Sequence, residues 1–128
     1  MAIEIPGKVI GIFNATADLS ALQFTFVSLT TLGGITGTTV VTAGRILGIL
    51  QNTPTSNQAA EVMYDGVSKL VAATTAIVVG DYVGSTAGGR AVTSASGTSG
   101  YKAARVLQAA LTTGLLTVQV FPPQQVTI

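Results

Sequence analysis

Residues 45–92, RILGILQNTPTSNQAAEVMYDGVSKLVAATTAIVVGDYVGSTAGGRAV, limit the fold more than any other part of the chain. They alternate short, β-branched apolar runs with turn residues, and β-branched side chains favour an extended, pleated backbone. Residues 45–50 form one run, and 51–58 form a polar loop of Asn, Thr, Pro, Ser and Gln. The runs 60–64 and 67–71 flank Asp65-Gly66. Asp-Gly in that setting predicts a hairpin, because a type I′ turn needs φ > 0 at both central positions. Gly80-Asp81 opens the run at Tyr82-Val83, and Ala87-Gly88-Gly89 turns the chain into Arg90-Ala91-Val92. The stretch reads as a rigid, turn-rich β-module with no chemistry of its own.

The flanking segments extend the pattern. Residues 1–8 are expected either as an arm that orders on a partner or as the first edge strand, with Pro6-Gly7 inside. Residues 8–13 (KVIGIF) form a continuous apolar strand, a pattern suited to burial on both faces. Residues 14–20 are a polar connector in which Asn14-Ala15-Thr16 reads as a turn, and Asp18 or Ser20 is placed to cap a short helical turn over 21–23. A strand over 24–29 sets Phe24 and Phe26 on one face as core anchors.

Residues 30–44 are a Gly/Thr tract around a short β-like run at 38–42, expected as a surface loop or hairpin. Its glycines match neither a phosphate loop nor a dinucleotide fingerprint. Residues 93–101 form a Ser/Gly/Thr loop. Residues 102–110 contain good helix formers, yet Arg105-Val106-Leu107 echoes Arg45-Ile46-Leu47 and is assigned to a strand. Residues 115–121 alternate, with Leu116, Val118 and Val120 on one face. Pro122-Pro123 is expected to stop that strand, since proline donates nothing to a ladder. Residues 122–128 then form a tail or an interface strand.

A chain of 128 residues suits one domain, 1–128, burying roughly two-thirds of its unfolded surface. Without Cys or His it relies on no disulfide and offers no thiolate or imidazole metal ligand. Six basic residues against five acidic ones, unclustered, exclude the electrostatic footprint of a nucleic-acid binder. Only 9% of residues are charged, whereas a free monomer normally carries a mixed charged surface. Much of the surface is therefore Thr, Ser, Gln and Ala, or is covered by partners in an assembly. The beginning of the chain does not have the form of a secretory leader. The most apolar window, 70–79, is far shorter than the ~20 residues of a membrane helix, so no membrane role is expected.

Catalysis is not expected. His- and Cys-based constellations are impossible, and a Ser–Lys arrangement would have to use Lys8, Lys69 or Lys102, which are scattered. Glu61 and Asp65 are the nearest carboxylates, but four strand residues span ~13 Å, against ~5–5.5 Å in a retaining glycosidase pair. Asp18, Asp65 and Asp81 lie too far apart in sequence to suggest a hard-metal site, and Asp81 reads as a turn residue bonding its own backbone. Residues 84–90 (GSTAGGR) fit a hairpin tip as well as an anion nest. No cofactor and no metal are expected.

Five segments, taken in order, resemble a known family: ADLSALQFTFVSL (17–29), GILQNTP (48–54), AAEVMYDGVSKLVA (59–72), GDYVGSTAGGRAV (80–92) and ARVLQAALTTG (104–114). They are similar to the decoration, or capsid cement, proteins of tailed bacteriophages. LQN-x-P followed by A-A-x-V and G-V-S-K carries most of the likeness. The resemblance implies a mainly β, single-domain β-barrel or β-tulip-like fold with at most one or two short helices. It implies a structural protein, not an enzyme, made in the host cytoplasm and located on the outer surface of the virion capsid. Its partners would be the major capsid protein and further copies of itself, as a homo-trimer or another oligomer. On this reading Ile3, Ile5 and Lys8 contact the capsid, and Phe121, Val126 and Ile128 join subunits. A tail-tube or fibre component and a carbohydrate-binding surface module are the alternatives.

Overall fold

The computed structural model describes residues 5–30, 33–37, 46–73, 77–86, 88–93, 101–109 and 114–125. These form nine strands and, among the described residues, no helix: β1 Ile5–Asn14, β2 Phe26–Leu29, β3 Ile35–Gly37, β4 Ile46–Leu50, β5 Ala59–Val71, β6 Tyr82–Ser85, β7 Ala91–Thr93, β8 Tyr101–Gln108 and β9 Leu115–Gln125. All strand pairs are antiparallel, in the order β3-β2-β4-β5-β9-β8-β6-β7, with β1 on β5. The mainly β expectation holds, and the assignment of the segment around Arg105 to a strand holds with it.

The sheet curls until its ends meet its middle. A bridge joins Ala15, just past β1, to Ile35 of β3, and another joins Ala72, just past β5, to Ala91 of β7. Two apolar clusters fill the resulting space. One gathers Leu70, Val83, Ala91, Ala104, Val106, Leu116, Val118 and Val120 with Phe26, Ile49 and Met63. The other gathers Leu19, Val27, Ile35, Leu50, Ala60 and Val62. Successive strand residues face opposite ways, so Phe26/Val27, Ile49/Leu50 and Met63/Val62 each serve both clusters. The wall β2-β4-β5 is thus buried on both faces, which is why its runs FVSL and ILGIL are apolar without alternation. Each fully buried large side chain there contributes roughly 1.5–3 kcal/mol.

Strand β5 changes neighbours at Asp65-Gly66 and makes no hairpin. Met63 pairs with Val9 and Ile49, whereas Val67 pairs with Ile5 and Gln119. Gly66 has φ 141°, a conformation open to glycine alone. The glycine bends the strand where the sequence had suggested reversal. The polar loop 51–58 lies where expected and is stitched to the connector: Leu19 N–H donates to Pro54 O and Asn57 N–H to Ala15 O. Asn52 clasps the loop by donating to Ala59 O and accepting from Glu61 N–H, both at 3.0 Å. The LQN-x-P segment is therefore scaffold.

Four further expectations are corrected. β1 is not buried on both faces, since Val9 is 45% and Ile12 81% exposed; as a flank paired only with β5 among the described residues, it has a cover on one side alone. No helical turn covers 21–23. Instead Asp18 Oδ1 accepts from Ser20 N–H at 3.0 Å and closes a side-chain turn. Phe24 precedes the strand: its N–H donates to Leu50 O while its carbonyl accepts from Val71 N–H, and those two pulls hold it at φ 63°. Pro122-Pro123 does not end β9. Between the pairs Ala104↔Val120 and Lys102↔Gln124 the register shifts, so the prolines fall in a bulge where no ladder donor is required.

The Gly/Thr tract does begin with a hairpin, β2–β3, although Ile35 is fully buried and not on the surface. The run at 38–42 and most of the loop at 93–101 lie outside the described residues.

Candidate functional site

The outward face of β6, β8 and β9 gathers most of the chemistry among the described residues. Tyr82 opens β6 directly before buried Val83, and Arg105 lies between buried Ala104 and Val106. Period-two alternation therefore turns both side chains outward. Backbone register places Tyr82 opposite Arg105, Arg105 opposite Gln119, Gln119 opposite Val67, and Val67 opposite Ile5. One cross-strand backbone row thus runs from β6 to the beginning of β1, and within it the opposed residues Tyr82, Arg105, Gln119 and Val67 share a face.

The geometry at the β6 end is specific. Lys102 Nζ lies 4.6 Å from the Tyr82 ring centroid and the Arg105 guanidinium carbon 6.0 Å from it. Phe121 meets the same ring edge-on, with centroids 6.1 Å apart and planes at 69°. These four residues and Gln119 line an open depression of about 230 Å³. Cation–π contact with the Tyr82 ring restricts the two long side chains, while Arg105 is exposed and Lys102 half-buried. Tyr82 itself remains 42% exposed.

A second depression, of about 490 Å³, lies at the far end of β1 between Ile12, Asn14, Thr30 and Asn57. Ile12 is 81% exposed, the most of any large apolar side chain among the described residues. No titratable group is among the described residues that line this depression.

The residues expected to act are placed as follows. Ile5 pairs with Val67 at the start of β1, and Lys8 is exposed opposite Asp65. Phe121 is half-buried against Tyr82. Ile3, Val126 and Ile128 lie outside the described residues. Ile5 and Phe121 were expected in separate contacts; Ile5 stands at one end of the cross-strand row, and Phe121 packs on the residue at the other. Tyr82, Lys102 and Arg105 were not singled out from the sequence, because 23 positions separate Tyr82 from Arg105 and only the β6-β8 pairing unites them. The available signal was a charged or aromatic residue beside buried neighbours.

Glu61 and Asp65 sit four residues apart on β5, both exposed; Asp65 is a strand residue and not the turn residue expected. Asp81 accepts from Val78 N–H at 3.0 Å, the turn role expected of it. Residues 84–90 make the β6–β7 hairpin, with Thr86 Oγ1 accepting from Gly88 and Arg90 N–H groups. Among the described residues, no group of three His, Cys, Asp or Glu converges as metal ligands would. Asp18, beside Ser20, is held below the ordinary aspartate value of 3.8 by the Ser20 hydroxyl and then by its backbone N–H. That shift belongs to a turn.

A family model described as phage cement protein matches residues 21–121. The matched span covers β2 through Phe121 and so includes the Tyr82 cluster, whereas β1 precedes it. No curated protein matches the chain.

Proposed function

The chain belongs to the phage cement protein family, whose role is structural and at the capsid, and from that premise we propose that it binds the outer surface of the phage head and stabilises the shell without catalysis. The partner is the major capsid protein, and the bound form is a homo-trimer. Ile3, Ile5 and Lys8 meet the capsid, while Phe121, Val126 and Ile128 serve contacts between copies.

The observation that carries this reading is the state of β1. It pairs only with β5 among the described residues, and it presents Val9 and Ile12 outward. An edge strand offers unpaired backbone donors and acceptors to an extended segment of another chain, so affinity comes from the main chain and from a few apolar anchors. Repetition over the lattice multiplies a modest contact, since each bound copy holds several shell subunits together.

The test is removal of residues 1–7, which leaves the pairs from Lys8↔Asp65 to Asn14↔Ala59 intact. The truncated protein is expected to keep its circular-dichroism spectrum and melting temperature yet no longer co-sediment with undecorated heads. Co-sedimentation equal to that of the full chain removes the N-terminal assignment.

A further inference from the structure

The Tyr82 cluster holds two cations, Lys102 and Arg105, beside which no carboxylate lies among the described residues lining the depression. Lys102 and Arg105 stack on one neutral ring, and a ring quadrupole offsets little of their charge. The carboxylate nearest in sequence, Asp81, bonds Val78 N–H. Gln119 adds an amide, and the Tyr82 ring gives an apolar wall. Such a site suits a carboxylate on a short apolar stem: the acid meets two ordered donors and the stem lies on the ring. Because the Tyr82 ring already restricts both cations, binding forfeits less side-chain freedom than two loose lysines would.

We propose that this cluster is a second docking point, taking a Glu or Asp side chain from an acidic segment of the capsid protein. The proposal rests on the capsid-docking reading above and adds the chemistry of the partner to it. Charge complementarity selects the occupant. Two cations on a chain of net charge +1 neutralise too few phosphates to hold a nucleic acid at physiological salt. They are sufficient for one carboxylate whose neighbours also make contact. The backbone row from Tyr82 to Ile5 links this point to the start of β1, so one partner surface reaches both.

Two measurements test it. Poly-L-glutamate added to the full-length ¹⁵N-labelled protein is expected to shift the amide resonances of Tyr82, Lys102, Arg105 and Gln119, with inorganic phosphate giving weaker shifts at equal charge. Shifts confined to other residues, or stronger shifts with oligothymidylate than with poly-L-glutamate, overturn the assignment. On undecorated heads, the double variant K102Q/R105Q is expected to bind on the order of tenfold more weakly than the parent chain at low salt. K102R/R105K, which keeps the charge, is expected to bind normally. Equal binding by parent and K102Q/R105Q overturns the acidic-segment proposal while leaving capsid docking in place. Failure of the parent chain itself to bind heads overturns the docking reading and the capsid partner together, and poly-L-glutamate shifts then report only the chemistry of the cluster.

Discussion

The Gln51 side-chain amide donates to the Ser68 hydroxyl at 2.9 Å. Gln51 N–H also donates to Glu61 O at 2.7 Å, so one residue touches β5 at two places seven residues apart. Seven residues of straight strand would span ~23 Å. β5 is therefore bent between these points, with Gly66 inside the bend, and this bend joins the two halves of the curled sheet.

Removing the Gln51–Ser68 link is expected to weaken the whole fold, since Ser68 is fully buried. Gln51→Ala leaves the hydroxyl short of a donor and is expected to cost about 1–2 kcal/mol. Ser68→Ala removes the acceptor and is expected to cost about 1 kcal/mol or less. Urea unfolding of both variants checks the order, and equal stability of Gln51→Ala and the parent chain would contradict the clasp.

Gly48 is needed for space. A Cβ there would lie 2.1 Å from the Met63 carbonyl oxygen, a backbone atom that cannot step aside. Gly48→Ala is expected to push β4 from β5 and lower stability by about 3 kcal/mol, read as a fall in urea midpoint.

Much of this architecture was readable because local signals and global pairing agreed. Leu116, Val118 and Val120 alternate and are buried, and Gly88-Gly89 sits where β6 turns into β7. The exceptions arose where tertiary pairing chose among conformations that a short motif permits. Asp65-Gly66 can reverse or bend a chain, and exchange of β4 for β9 selects the bend. Pro122-Pro123 stops a regular ladder but not a bulged one. At the candidate site, the position of Phe121 on a strand was legible from the alternation of residues 115–121. The cluster around Tyr82 was not, because it exists only once β6, β8 and β9 lie side by side.

Ile12 separates folding from docking. At 81% exposure its replacement removes little native burial, so Ile12→Glu is expected to change stability by no more than about 0.5 kcal/mol. The same change is expected to reduce binding to undecorated heads markedly. A large drop in melting temperature would show that Ile12 serves the core instead.

Acid sensitivity carries a small, signed term from Asp18. Its folded-state pKa lies below 3.8 because the Ser20 hydroxyl and N–H favour the carboxylate. The turn therefore contributes stability above that value, and the contribution is lost as pH falls through the lowered one. Carboxyl NMR titration is expected to place the Asp18 midpoint below that of Asp18 in a short peptide, and Ser20→Ala is expected to move it up.

Electron microscopy of expanded, undecorated heads incubated with the purified protein tests most directly whether this chain works through the surface it shares. The account predicts regular added density on the outside of the shell and heads that withstand heating better than bare ones. Bare shells with unchanged heat resistance, or density confined to the tail, would contradict it.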